Sequence, residues 1–264
     1  MTVLLSSSHY FNRLERYINM KKSCSQLKDA ARACLLGHYG ILIGTMIIIE
    51  IAIIIFNMPF GSMMNQGILF MVPYRIILGY AGSIVVSLVA MVFSCGISYM
   101  HLNISRQKAV RFSDVLYCIK NRPDKYLGLG LIIIVISTLL MLPGTLCSII
   151  GAFISQQESN IRTASILLFA SFVLLIVGCI VLFIIMLSWS QAVYLLLDHP
   201  DLTVWGAIKR STQAMKGNKW RLFVLYLSFI GWFFLGLISM GIAFLWIQHY
   251  LQQSMTQFYL DIMN

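Results

Sequence analysis

DLTVWGAIKRSTQAMKGNKWRLFVLYLSFIGWFFLGLISMGIAFLWIQHYLQQSMTQFY, residues 201–259, is the stretch of this sequence that decides the fold. It begins with a short segment that is polar on one helical face and stops at Gly217. It then passes through Lys219, Trp220 and Arg221 and continues as a long apolar run. Runs of about 20 apolar residues cross the hydrocarbon core of a bilayer. The same order of parts occurs twice earlier in the chain, so we predict a protein that crosses a membrane several times.

The composition excludes a soluble domain. The 264 residues are 59% hydrophobic and only 11% charged, and the mean hydropathy is +0.84. A soluble domain of this size has about 25% charged residues. The missing charge indicates helices that face lipid.

The basic residues predict the orientation. The net charge is +10, and 17 of the 19 Lys and Arg residues lie in 1–36, 101–125 and 198–221, the other two being Arg75 and Arg162. Alternate connections rich in basic residues face the cytoplasm, so both termini are predicted to be cytoplasmic. This pattern favours anionic lipid headgroups over nucleic acid as the partner of the basic side chains. We expect lipid contacts at Lys28, Arg32, Arg111, Lys120, Lys209 and Arg210.

The predicted fold is all-α, a polytopic membrane protein with six transmembrane helices. We place an N-terminal arm at residues 1–22 and one membrane domain at 23–260. The predicted spans are 39–56, 75–100, 127–150, 163–197, 220–238 and 241–259. Three short amphipathic helices precede the pairs of spans, which gives three helix-plus-hairpin units. The alternative is that alternating cytoplasmic loops produce a similar order without a true repeat.

The sequence contains no pattern that predicts catalysis or a cofactor. The six cysteines are dispersed singly, without the spacing of a metal or redox site. No phosphate-binding loop, nucleophile elbow or metalloprotease motif is present, and the first residues do not resemble a signal peptide. We predict a protein that is not an enzyme and has no metal or cofactor.

The stretch 227–259 resembles the C-terminal signature of a bacterial integral-membrane family catalogued only as domain of unknown function nine-seven-five. Residues 227–232 (LSFIGW) match it in full, and residues 26–40 resemble its N-terminal signature. Further matches are Gly241-Ile242, Leu245-Trp246, Tyr250 and Phe258-Tyr259. Ala243 and His249 depart from its usual Gly and Pro, which puts in doubt a helix break near the sixth span. The resemblance covers 23–260 and implies a bacterial plasma-membrane location and a fold, but no activity.

Glu50 is the main candidate for a functional site within the membrane. A carboxylate at this depth costs about 3 kcal/mol on insertion scales, and such residues commonly serve function. In the sixth span Gln248, His249, Gln252 and Gln253 form a polar face, and His249 has a depth similar to that of Glu50. We predict that Glu50 and His249 face one interior cavity and share a proton. Two alternatives are that Arg75 reaches Glu50 instead, and that the glutamines only hold helices together.

The sequence leaves two classes of function open. The first is a transporter-like or accessory factor that binds or moves a small amphiphile or peptide. The second is an immunity or interaction protein that shields the membrane or a partner protein from a peptide. The oligomeric state and the ligand are not encoded in any motif that we identify.

Overall fold

The computed structural model describes residues 21–69, 72–156 and 160–263, and all regular structure in these ranges is helical. Residues 1–20, nearly all of the predicted N-terminal arm, lie outside the described residues. We number the helices α1 to α11 in chain order. They are α1 (Cys24–Leu35), α2 (Tyr39–Leu69), α3 (Pro73–Ser105), α4 (Tyr117–Lys120), α5 (Pro123–Ser155), α6 (Ile161–Trp189), α7 (Ala192–Asp198), α8 (Val204–Ala214), α9 (Lys219–Leu227), α10 (Ile230–Ile238) and α11 (Phe244–Met263). A 3₁₀ helix, Phe112–Leu116, precedes α4.

The chain is a multi-pass membrane protein. Within the described residues five helical stretches have the length and hydropathy to cross a bilayer: Tyr39–Gln66, Pro73–Ser105, Pro123–Ser155, Ile161–Asp198 and Lys219–Ile238. They match the first five predicted spans. The sixth predicted span corresponds to α11, which is not among the five because its histidine, glutamines and hydroxyl residues lower its hydropathy.

Two of the three predicted amphipathic helices form as expected. Ser23 and Gln26 make a reciprocal capping box at the start of α1. Gly37, at φ +83°, then turns the chain into α2. Thr203 caps α8 by accepting a hydrogen bond from the Gly206 amide.

The middle amphipathic segment differs from the prediction. It is a 3₁₀ turn followed by the one-turn helix α4, not a continuous α-helix. Val115 and Cys118 are buried, whereas Phe112 and Ile119 are exposed. Since side chains eclipse every third residue in a 3₁₀ helix, the α-helical face that we predicted is not maintained.

The long helices pack as antiparallel pairs through glycines. Gly144 on α5 lies against Leu175 of α6, and Gly151 lies against Leu168. On α3, a Cβ added to Gly79 would lie 2.8 Å from the Phe60 carbonyl oxygen of α2. The absence of a side chain at these positions lets the backbones approach closely.

Residues 57–74, which we left between the first two predicted spans, are helical for most of their length. Helix α2 continues through Pro59 to Leu69, and α3 starts at Pro73. The segment is rich in methionine and has no charged residue before Arg75, so its apolar character is compatible with a continued helix despite Pro59, Gly61 and Gly67.

The buried core lies at one end of the long pairs, where the short helices gather. There α11 packs against α1, α2, α3 and α10. It runs antiparallel to α9 and α10, because Gly236 lies against Phe244 and Arg221 forms an ion pair of 2.6 Å with Asp261. Helix α11 thus extends over the same length as the fifth candidate span.

Candidate functional site

A polar network joins α11 to the C-terminal part of α3. Ser98, His101 and Ser105 lie on one face of α3, at i, i+3 and i+7, opposite the polar side chains of α11. We define the network as His101, Ser105, His249, Gln253 and Gln257, of which all but the half-buried Ser105 are at most 7% exposed. The network therefore lies inside the protein and not against lipid.

The hydrogen bonds of the network form a chain. The amide nitrogen Nε2 of Gln253 donates to the Ser105 Oγ at 2.6 Å, and its Oε1 lies 2.6 Å from Nδ1 of His101. The His101 Nε2 in turn lies 3.3 Å from the His249 Nδ1. Gln257 extends the chain by donating to the Ser105 Oγ at 3.2 Å.

Within the described residues, this chain of hydrogen bonds leaves one imidazole nitrogen, Nε2 of His249, without a partner. Because the Gln253 Oε1 can only accept, His101 donates through Nδ1, and in the neutral ring its Nε2 accepts from the His249 Nδ1–H. His249 Nε2 then carries a lone pair, and it has no hydrogen-bond partner in the described part of the chain although His249 is 1% exposed. The network thus ends at a buried imidazole nitrogen of His249.

Two further sets of contacts fix α7 to the network helices. Gln252 donates to the Ser98 Oγ at 3.0 Å and to the Tyr194 hydroxyl at 3.1 Å. Asp198, at the end of α7, forms an ion pair of 2.8 Å with Arg106 and accepts a 2.7 Å hydrogen bond from Tyr259. These contacts join the ends of α3, α7 and α11 beside the network.

A half-open cavity of about 560 Å³ adjoins the network. It lies between the end of α1 and the end of α3 and is lined by Ala33, Cys34, Leu36, His38, Ile104, Gln107, Lys108 and Ala109. Cys34 lines the cavity and also contacts the network, because its Sγ lies 3.4 Å from the Gln257 Nε2. Burial raises the pKa of the Cys34 thiol, so it lines the cavity as a neutral group.

All of the helices described above lie within the match to one sequence family. The sequence model of the family described as "Protein of unknown function (DUF975)" matches residues 20–264. The chain belongs to the DUF975 family. No curated protein and no solved structure shows significant similarity to it.

The DUF975 signature LSFIGW occupies the junction between α9 and α10. Helix α9 ends at Leu227, and α10 begins at Ile230. Lys28 of α1 donates to the Ser228 carbonyl at 3.2 Å and lies 4.8 Å above the ring of Phe229, which is fully buried. The signature therefore holds α1 against the fifth candidate span, which is a structural role.

The predicted intramembrane residues divide into two groups. His249, Gln252 and Gln253 take part in the hydrogen bonds described above. Gln248 and Glu50 are exposed. Arg75 donates to Gln66 at 2.9 Å.

The shared interior cavity for Glu50 and His249 was therefore a wrong prediction. Leu42, Thr45 and Ile49 form the buried face of α2, and Glu50 is one residue, about 100°, further round the helix. Its side chain lies on the exposed side, while the partner of His249 is His101.

Five of the six basic residues predicted to contact lipid are exposed, namely Arg32, Arg111, Lys120, Lys209 and Arg210. Lys28 and Arg32 have protein partners. Lys28 contacts Ser228, and Arg32 donates to the Tyr250 hydroxyl at 3.4 Å. Lipid binding at the exposed positions stays a prediction.

His101 and Ser105 were missed because we assigned residues 101–125 to a cytoplasmic segment. The polar i, i+3, i+7 spacing of Ser98, His101 and Ser105 was the signal that the helix continues and turns a polar face inward. In the described residues no three His, Cys, Asp or Glu side chains come close enough to hold a metal ion.

Proposed function

We propose that this protein is a non-enzymatic, multi-pass protein of the bacterial plasma membrane that binds and moves a small amphiphile. The observation that carries the proposal is the half-open cavity of about 560 Å³ next to the polar network. Ligand pockets commonly enclose about 300–1,000 Å³ with a few polar groups among apolar ones. The cavity has this size and composition, and it lies at the end of apolar helices.

We further propose six crossings, in three helix-plus-hairpin units, with both termini in the cytoplasm. Helix α11 spans the length of α9 and α10, as its contacts at Gly236 and Arg221 require. Most of its polar side chains do not oppose insertion, since His249, Gln253 and Gln257 face protein and not lipid; Gln248 is the exposed exception. The basic connections support the cytoplasmic assignment of the end that holds the cavity.

Cysteine labelling tests this topology. Met240, 94% exposed, lies in the turn between α10 and α11. We expect Met240→Cys to react with a membrane-impermeant maleimide in intact cells, and Arg210→Cys and Met263→Cys to react only after permeabilisation. The unmodified chain gives the background, to which Cys118 adds little because burial raises the pKa of its thiol to about 12. Reaction of Met240→Cys and Met263→Cys from the same side would mean that α11 does not cross.

Filling the cavity tests the binding function. We expect the purified wild-type chain to retain a stoichiometric amphiphile in native mass spectrometry. Ala33→Phe, which places a ring in the open space beside Cys34, should reduce the bound fraction at least about tenfold because steric exclusion removes the site. Ala109→Phe fills the cavity from α3's side of the opening and should act in the same way.

The matched control is Ala81→Phe, the same substitution at an exposed position of α3 that does not line the cavity. It should leave the bound amphiphile unchanged. Retention of the same mass by all four proteins would contradict the cavity as the site, and a wild-type chain that retains nothing would contradict the binding function.

A second candidate function is supported by the lengths of α2 and α3. They contain 31 and 33 residues, or about 46–50 Å at 1.5 Å per residue, against a hydrocarbon core of about 30 Å. The projecting ends favour an immunity or interaction protein that contacts a peptide or another membrane protein. In the same measurement, a retained second polypeptide instead of a small molecule would favour this function.

A further inference from the structure

The cavity lining has a polar and an apolar side. Lys108, Gln107 and His38 supply the polar groups, and Leu36 and Ile104 supply apolar surface. Among the described residues that line it, Lys108 is the one charged side chain, and none is an aspartate or a glutamate. In the described residues the Lys108 ammonium makes neither an ion pair nor a hydrogen bond.

We propose that the cavity binds the anionic phosphodiester headgroup of a membrane phospholipid, with Lys108 on the phosphate. This inference rests on the proposed function and names the class of its amphiphile. The charge of Lys108 complements a phosphate. Leu36, 69% exposed at the rim, gives the first acyl methylenes an apolar surface.

The polar groups around Lys108 suit a headgroup that carries hydroxyl groups. His38 Nδ1 lies 3.3 Å from the Leu36 carbonyl and donates to it, so in the neutral ring Nε2 is left as an acceptor. Gln107 offers an amide that both donates and accepts. Its backbone is in the left-handed region at φ +54°, the usual conformation of the residue that follows the C-cap of a helix.

Hydrogen bonds at the end of α3 limit the electrostatic repulsion between its backbone carbonyls and an anion near Lys108. The C-terminus of a helix carries partial negative charge on its last carbonyls, and α3 ends beside the cavity. Three of the last four carbonyls of α3 already accept hydrogen bonds, however, which reduces their effect on an anion. Asn103 accepts from the Arg106 and Lys108 amides at 3.0 and 2.9 Å, and Ile104 accepts from the Gln107 amide at 3.0 Å.

Native mass spectrometry of the full-length, delipidated protein, titrated with phosphatidylglycerol or phosphatidylcholine of the same acyl chains, tests the proposal. We expect one phosphatidylglycerol to bind more tightly than phosphatidylcholine. Lys108→Gln should weaken phosphatidylglycerol binding about fivefold, the effect of one basic side chain near the membrane surface, and weaken phosphatidylcholine binding by less, because the choline cation already neutralises the charge of that phosphate. Lys120→Gln, at an exposed lysine outside the lining, is the matched control and should change neither.

An excess of inorganic phosphate separates the two sources of the anion. If it displaces phosphatidylglycerol, the site recognises free phosphate and the lipid proposal is overturned. Equal affinity of wild-type protein for both lipids, or no effect of Lys108→Gln, also overturns it. If Ala33→Phe still removes a retained amphiphile in that case, the proposed function survives and only the headgroup assignment fails.

Discussion

Replacing Gln253 by leucine should lower the free energy of unfolding by about 2–3 kcal/mol. Gln253 is fully buried and bonds to both His101 and Ser105. Leucine has a similar volume, so the change leaves little empty space but removes the partner of an imidazole N–H and of a hydroxyl. Buried polar groups that lose their partners keep the cost of desolvation. In detergent the thermal midpoint should fall by roughly 5–10 °C.

Gln248→Leu is the matched control, the same substitution on the same helix at an exposed side chain. Its midpoint should stay within about 2 °C of wild type, since surface changes usually cost less than about 0.5 kcal/mol. Polar contacts between membrane helices average only about 0.6 kcal/mol. If Gln253→Leu lowers the free energy of unfolding by only about 0.6 kcal/mol, the network stabilises the protein no more than ordinary polar contacts between helices do. It would then not be a specially organised site.

The apolar spans were predictable because insertion depends on summed hydropathy along a segment, which a sequence contains directly. Five spans agree with the structure on this basis. Helix α11 shows the limit of predicting spans from summed hydropathy. Gln252, Gln253 and Gln257 contact α3, α7 and α1, so a sum of hydropathy along α11 includes polar side chains that do not face lipid.

The partners within the site were not predictable, because they depend on how the helices rotate about their axes. A shift of one residue, about 100°, separates the exposed Glu50 from the buried Ile49. Similar depth in the membrane suggested that Glu50 contacts His249, but depth does not specify the direction in which a side chain points from its helix. His101 was closer to prediction, since its spacing from Ser98 and Ser105 already marked a polar helix face.

The cavity was the least predictable feature, because it arises from two chain ends brought together in space. Cys34 and Leu36 close α1, while Gln107 and Lys108 follow α3. Each pair resembles an ordinary helix terminus in the sequence. Only the packing of α1 against α11 and α3 shows that the two termini line one space.

The approach of the 3₁₀ segment to α3 depends on a single glycine. A Cβ added to Gly96 would lie 1.9 Å from the Val115 carbonyl oxygen and 2.8 Å from its carbonyl carbon. Both atoms belong to the backbone, so no side-chain rotation relieves the clash. Val115 is 1% exposed, and one turn along α3 the rings of Tyr99 and Tyr117 stack with centroids 3.8 Å apart. A methyl group at position 96 must therefore displace the whole segment.

Gly96→Ala should therefore cost about 3 kcal/mol, the upper part of the usual range for overpacking, and lower the thermal midpoint by roughly 10 °C. Gly44→Ala is the matched control on α2, where an added Cβ meets nothing within 4 Å. There alanine should be neutral or stabilise by up to about 1 kcal/mol, because it is the better helix former.

A second readout shows which part of the protein the Gly96→Ala substitution displaces. Cys118 is fully buried behind the segment and should become reactive toward maleimide in Gly96→Ala but not in Gly44→Ala. Equal midpoints and equal labelling of the two variants would show that the 3₁₀ segment does not lie against α3 as described.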